Sequence, residues 1–297
     1  MEQKTASTAQ ANVSFKKQKQ GKEIWRRFRK SKSAMFGLFL FVAVCLLVCA
    51  APLFGSYEEA LALNVLEKQQ HPSAAHWFGT DNYGRDIFLR IAHGGRYSLL
   101  IGLVTSLISA VFGSILGAMA GYFGGKVDDI MMRVLDVFSA IPTIMLALAI
   151  ISALGSSVPN LIIALSISRI PGFARIVRSS ALSIADQEYI EACHAGGATH
   201  AHTLMKHVIP NCIGPIIVQT TMNVSLMILQ TASMSFLGLG IVPPTPEWGA
   251  MISEAKAFIR LYPYMMIFPG VFLVTVSMGI SLLGDGLRNA LDPKLKN

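Results

Sequence analysis

The chain has 297 residues, of which 53% are hydrophobic and only 14% charged, with a mean hydropathy of +0.52. Soluble domains carry roughly 25% charged residues, so this composition excludes a soluble globular protein and predicts one that crosses the membrane several times. The formal net charge of +8 does not indicate nucleic acid, because no basic stripe is interleaved with aromatics as single-strand binding requires; in membrane proteins Lys and Arg gather in cytoplasmic loops.

Residues 1–33 are polar and basic, with Lys16, Lys17, Lys19, Lys22, Arg26, Arg27, Arg29, Lys30 and Lys32. The run 34–54 has no charge. It is longer than the roughly 7–15 residues of a signal-peptide core, and no convincing small-residue cleavage site follows. It is read as an uncleaved first span. Residues 55–96 are polar and mixed in charge. The uncharged run 97–125 predicts the second span, in which Gly113, Gly117 and Gly121 recur every four residues on one face. Small residues at that spacing let helix backbones approach closely in lipid.

A short charged connection covers 126–136. The uncharged stretch 137–168 is too long for one crossing of about 20 residues and short for two. Turn residues Gly155-Ser156-Ser157-Val158-Pro159-Asn160 divide it. The third span therefore ends near Leu154. The fourth starts near Pro159 and runs past Arg169 and Pro171-Gly172. Helix breaks are expected at Pro142 and at Pro171-Gly172. Arg169 and Arg175 fall at or near lipid depth, where such residues face the bundle interior or snorkel. Both are candidate path-lining charges, with snorkelling an equal reading.

A polar loop over 179–210 separates the fourth span from the fifth, 212–236. The Gly/Pro-rich segment 238–260 leads to the sixth, 261–284. With the N-terminus inside, only Lys68, Arg85, Arg90, Arg96, Lys256 and Arg260 of the 25 Lys and Arg lie outside. The asymmetry predicts both ends in the cytoplasm. It divides the chain into a cytoplasmic segment (1–33), a first span with its outer loop (34–96) and a core of transmembrane helices (97–297). Cys45 and Cys49 lie in the first apolar run, and Cys193 and Cys212 near the polar loop. Nothing in these positions suggests a disulfide framework.

The polar loop is the most informative stretch. Asp186-Gln187-Glu188-Tyr189 predicts a helix start, with Asp186 accepting from exposed amides. Gly196-Gly197 predicts its end, since glycine takes the left-handed conformation past a helix C-terminus. A second helix is expected from Thr199 to Val208, stopped by Ile209-Pro210. The result is helix, glycine hinge, helix across the membrane surface, a shape that fits a partner's groove; an ordinary surface loop with a helical turn is the plainer reading. Cys193, His194, His200, His202 and His207 match no closed tetrahedral zinc spacing. No G-x-x-x-x-G-K-[ST] phosphate loop is present, so any ATP hydrolysis belongs to another chain. No nucleophile, His and acid align, and no catalytic residue or metal ligand is expected.

Several segments together resemble one family. Glu191-Ala192-Cys193 with Gly197, followed by His207-Val208-Ile209-Pro210, resembles the cytoplasmic "EAA" loop of binding-protein-dependent ABC import permeases. Cys193 stands for the second alanine, His207 for the usual isoleucine and Ile209 for leucine. Gly79-Thr80-Asp81-Asn82-Tyr83-Gly84-Arg85-Asp86 resembles the "GTDxxGRD" signature of the dipeptide/oligopeptide/nickel branch. Ser235–Gly240 with Pro243–Gly249, and Leu283–Arg288 with Leu291-Asp292-Pro293, resemble that branch's later motifs, Asn289 replacing the usual Asp.

The resemblance implies an all-α membrane protein with the six-helix fold of type I ABC importer permeases, in a bacterial or archaeal inner membrane. It implies pairing with a second homologous permease as a heterodimer, two ABC ATPase subunits that hold ATP-Mg, and an external solute-binding protein; no cofactor is expected on this chain. Alternating access would follow from ATP-driven closure of the ATPases. Glu191, Ala192, Cys193, Gly197, Ile209 and Pro210 are implied as the ATPase coupling residues. Gly79, Thr80, Asp81, Gly84, Arg85 and Asp86 would fold the outer loop by internal pairing or contact the binding protein. Dipeptides, longer peptides, glutathione-like molecules and nickel complexes are all cargo of this branch. The competing reading is a self-contained ion-coupled secondary transporter. Such proteins carry an ionisable residue mid-membrane, and no Asp or Glu lies mid-span here.

Overall fold

A computed structural model describes residues 20–291. The basic residues Lys16, Lys17 and Lys19 and the motif residues Asp292-Pro293 lie outside the described residues. Helix α1 (Gln20–Lys30) carries Phe28 on a buried face and leads into α2 (Lys32–Phe54), capped by Ser31, whose hydroxyl accepts from Ala34 N at 3.3 Å. Outside the first span, α3 (Tyr57–Leu61) is held by a capping box in which Ser56 and Glu59 satisfy each other's backbone amides, as free N-terminal amides require.

Helix α4 (Ile87–Phe123) begins well before the predicted second span, because Asp86 caps it by accepting from Leu89 N at 2.9 Å. At about 1.5 Å per residue it is about 55 Å long, so its first turns stand clear of a hydrocarbon core of about 30 Å. The predicted third span is not one straight helix. It is part of α5 (Gly125–Ala140) and α6 (Thr143–Leu154), which meet at an 84° bend. Pro142 forces the preceding residue out of the helical region, and Ile141 is extended at φ −92°, ψ 127°.

Helix α7 (Val158–Ala185) starts at Ser157, whose side chain accepts from Asn160 N. It runs unbroken through Pro171-Gly172, contrary to the expected break, and its length moves the start of the polar loop from residue 179 to 186. The short helices α8 (Glu188–Ala195), α9 (His200–Thr203) and α10 (Ile209–Asn211) follow, with a π-helical turn Leu204–Val208 before α10. Helix α11 (Ile213–Phe236) is the fifth predicted span. Helix α12 (Trp248–Ala255) lies in the outer Gly/Pro-rich segment, and α13 (Tyr264–Leu291) is the last span. Among the described residues, five helices are long and apolar enough to cross a membrane, and the bent α5–α6 pair, taken as one span, makes six. An even number of crossings puts both ends on one side.

The glycine ladder of α4 seats α7. A Cβ on Gly117 would lie 2.2 Å from the carbonyl oxygen of Ala174, and one on Gly113 would lie 2.4 Å from Phe173 Cβ. These two backbones nearly touch, which is the physical meaning of small residues at four-residue spacing. A second core sits at the outer end, where Trp248 is fully buried with Ile87, Ile91, Met251 and Tyr264. The Trp248 indole donates to Ile91 O at 3.0 Å, so the ring satisfies its only polar atom inside the core.

Candidate functional site

The cytoplasmic loop is built on one anchor. Ile190 is 2% exposed and packs with Ala118, Val177, Ala181, Leu204, Val208 and Cys212. On the rest of α8, Glu188, Glu191 and Ala192 are exposed and Cys193 is half-buried. Asp186 does not start this helix, as its position suggests. It closes α7, and Gln187 takes the N-cap without a side-chain bond. Glu188 and Glu191 in the first turn complement the positive end of the helix dipole instead.

The C-terminus of α8 forms as expected. Gly197 N–H donates to His194 O at 2.9 Å and Ala198 N–H to Cys193 O at 3.0 Å, the paired pattern of a left-handed helix stop. Gly197 has φ +82°, and a Cβ there would meet nothing within 4 Å. The constraint at Gly197 is therefore backbone conformation, not space. Ile209-Pro210 does not end the second helical stretch. The chain passes through a π turn, closed by Ile209 N–H donating to Leu204 O, and continues helically toward α11. A proline ring crowds the carbonyl four residues back. That carbonyl belongs to Lys206, inside the widened turn, so the helix is deformed and not stopped. Ile209 is half-buried and Pro210 exposed.

A polar clamp that the sequence did not announce ties the loop to the membrane helices. Tyr122 Oη, near the end of α4, lies 2.8 Å from His194 Nε2 and 2.9 Å from His200 Nδ1. Asn211 Nδ2 donates to His207 O at 2.6 Å and to Tyr189 Oη at 3.3 Å. Arg178 on α7 grips Asp128 on α5 through two of its nitrogens. Helix α8 is thus tied to α4 by the Tyr122–His194 bond, and Ile190 packs it against α4 and α7.

The outer motif is a closed electrostatic clasp. Arg85 Nε donates to Asp81 Oδ2 at 2.6 Å and its Nη2 to Glu254 Oε1 at 2.8 Å. Arg90 pairs with the same two carboxylates, reaching Glu254 Oε2 at 2.7 Å. The four side chains are at most 11% exposed, and their charges cancel. Arg90 and Glu254 stand outside the eight-residue motif, so reasoning from the motif missed half the ring. Asp86 pairs with His76, not with an arginine of its motif: its Oδ2 lies 2.8 Å from His76 Nδ1. The Thr80 hydroxyl donates to Glu67 O and accepts from Gln70 N. Gly79 and Gly84 both have positive φ, and a Cβ on Gly84 would fall 1.7 Å from Asn64 O. These residues fold the outer loop onto α4 and α12.

The two candidate path-lining arginines are unlike each other. Arg175 is exposed and reaches across to α5, bonding Asp136 at 2.9 Å and Ser139 at 2.6 Å. Arg169 is half-buried, and its Nε donates to Asn223 Oδ1 on α11 at 2.9 Å. Asn223 in turn donates to Ser106 Oγ on α4 at 3.2 Å.

Residues 113–297 match the family described as "binding-protein-dependent transport system inner membrane component". This chain belongs to that family. Residues 19–76 of the permease also match the "N-terminal TM domain of oligopeptide transport permease C". It is 42% identical over 278 residues to the dipeptide transport system permease protein DppC of Alkalihalophilus pseudofirmus, covering 93% of this chain and 90% of that protein. It is 41% identical over 274 residues to the glutathione transport system permease protein GsiD of Escherichia coli, covering 92% and 90%. It is 37% identical over 294 residues to the oligopeptide transport system permease protein OppC of Bacillus subtilis, covering 98% and 96%. In fold it is similar to a chain of the inward-facing MetNI methionine ABC transporter, with a TM-score of 0.57 at 21% identity over 68% of this permease and 96% of that chain. The permease is therefore an inner-membrane transport component and not an enzyme. Family membership sets aside the self-contained secondary transporter.

Proposed function

We propose that this permease pairs with a second, homologous permease to form the path by which peptides or similar small solutes enter the cell. An external solute-binding protein delivers the cargo, and two ABC ATPase subunits holding ATP-Mg supply the work. The relatives named for dipeptide, oligopeptide and glutathione transport support this cargo class. On the outer face, Leu63, Val65 and Leu66 are 67%, 68% and 94% exposed, apolar surface suited to a docking partner.

The observation that carries the reading is the build of α8. A short helix held by one buried residue, with Glu191 and Ala192 outward and Gly197 at its hinge, suits insertion into an ATPase cleft. The Glu191 carboxylate would accept charge-assisted bonds from that cleft, and Ala192 would keep the contact close. Closure of the ATPases would push α8, and the Tyr122 clamp and Ile190 would carry the push to α4 and α7. Cys193 would pack at the edge of the contact, with Ile209 and Pro210 shaping the return of the chain to α11.

The test is uptake of a labelled dipeptide in cells lacking this chain, complemented with the parent or with Glu191→Lys. The parent restores uptake; Glu191→Lys reaches the membrane in equal amount and restores less than a tenth of it. Full uptake by Glu191→Lys removes the coupling assignment.

A further inference from the structure

Helix α1 is basic and ends where the first span begins. Residues 16–32 hold nine Lys and Arg against one acidic residue, Glu23, a net charge of +8. Toward the other terminus, Asp285 and Asp292 are outnumbered by Arg288, Lys294 and Lys296, so the side chains of that segment bring no net negative charge to cancel it.

The structure fastens α1 at the membrane border. Ser31, extended at φ −79°, ψ 109°, turns α1 back onto the inner end of the helix bundle. Phe28 and Ala34 meet there at one glycine of α13: a Cβ on Gly286 would lie 2.3 Å from Ala34 Cβ and 3.0 Å from Phe28 Cε2. In an unbroken helix, residues six apart are about 9 Å apart along the axis. Ile24, one turn before Phe28, packs into the same cluster with Leu287 and Ala290. Ala34 opens the uncharged run 34–54, so Phe28 sits at the level where the membrane-crossing segment starts.

The other side of α1 is sorted by chemistry. At about 100° per residue, Trp25 lies about 60° around the helix from Phe28, and Arg29, Lys22, Arg26 and Lys30 follow over about the next 140°. All four basic side chains are exposed. Trp25 is 54% exposed and stacks on Phe28 with 5.8 Å between ring centroids. The order around the helix is thus apolar toward the protein, an amphipathic ring beside it, then cations. Tryptophan favours the headgroup level of a bilayer, and Lys and Arg clustered beside a span attract anionic lipid.

We infer that α1 is a binding surface for anionic phospholipid headgroups of the cytoplasmic leaflet, with Trp25 at headgroup level and Lys22, Arg26, Arg29 and Lys30 against the phosphates. The occupant is lipid and not soluble phosphate, because the basic arc belongs to a helix fastened at the bilayer border. Lipid bound there holds α1 in place and, through Phe28, the inner ends of α2 and α13. The inference is independent of which solute the permease carries.

The test uses full-length permease in nanodiscs of equal parts phosphatidylglycerol and phosphatidylcholine, with one or the other lipid brominated high on its acyl chains. Subtracting the signal of Trp25→Phe removes Trp77 and Trp248 and leaves the quenching of Trp25 alone. At low salt the brominated phosphatidylglycerol quenches Trp25 about threefold more than the brominated phosphatidylcholine, the direction set by several cations near an anionic surface. At about 1 M salt, where the Debye length is about 3 Å, the ratio falls to near one. Lys22→Gln, Arg26→Gln, Arg29→Gln and Lys30→Gln made together bring the low-salt ratio to under half the parent value. A parent ratio near one at low salt overturns the inference. So does a raised ratio that persists in high salt, or one that the fourfold variant retains. If the fourfold variant does not fold, the salt series on the parent decides alone.

Discussion

Glu254→Ala is expected to be the most destabilising single change in the outer loop. Glu254 gives one oxygen to Arg85 at 2.8 Å and the other to Arg90 at 2.7 Å. The arginine side chains are 2% and 1% exposed, so water cannot replace the lost carboxylate. At an effective dielectric of about 20, each contact is worth about 6 kcal/mol before desolvation. Most of that offsets the cost of taking the charges out of water, and the net cost of stripping one member from a buried pair is about 3–5 kcal/mol. Asp81 alone would then face two guanidinia, leaving the ring with a net positive charge. Glu254→Gln keeps the acceptor oxygen and is expected to lose less. Purified permease in detergent, unfolded by heat and followed by the fluorescence of buried Trp248, gives the order parent, Glu254→Gln, Glu254→Ala. Because the clasp is buried, the gap persists in high salt, whereas a surface pair would be screened. A Glu254→Ala midpoint equal to that of the parent would refute the clasp as a stabilising element. So would a gap that vanishes at about 1 M salt, where the Debye length is about 3 Å.

Ile190→Ala removes the sole buried side chain of α8 and is expected to cost about 2–5 kcal/mol of local stability; protease cleavage within residues 186–199 should rise in membrane vesicles while the spans stay intact. Gly117→Val sets a branched side chain where a Cβ already lies 2.2 Å from Ala174 O, so α4 and α7 separate and the amount of folded protein in the membrane falls sharply on a detergent-extraction gel. Arg175→Ala breaks a pair whose side chains are 45% and 62% exposed; it is expected to cost under about 1 kcal/mol, with uptake unchanged within twofold (about 0.4 kcal/mol at room temperature).

Hydropathy alone made most of the spans legible, because a lipid-facing helix must be apolar over a fixed length whatever its neighbours do. The glycine ladder and the Gly197 stop were equally readable, since each follows from backbone geometry within one or two helices. The two prolines show where local reasoning ends. Pro142 and Pro171 both remove a helical hydrogen bond, but Pro142 is exposed and the chain turns by 84° there. Pro171 is buried beside Phe173 and Ala174, which rest on the glycines of α4, and that packing keeps α7 continuous. The same limit applied to Asp186, a plausible helix start by type that the length of α7 turned into a helix end.

The membrane class, the order of the spans and the short cytoplasmic helix with its outward Glu191 are all written in the amino-acid order. They depend on periodicity, composition and turn chemistry, which act over a few residues. Which charges meet is a matter of packing. Arg90 and Glu254 are 164 positions apart, Arg169 and Asn223 are 54 apart, and Tyr122 reaches His194 across 72. No local rule links residues at such separations; they meet because close packing of α4, α7, α11 and α13 brings distant segments within hydrogen-bond reach.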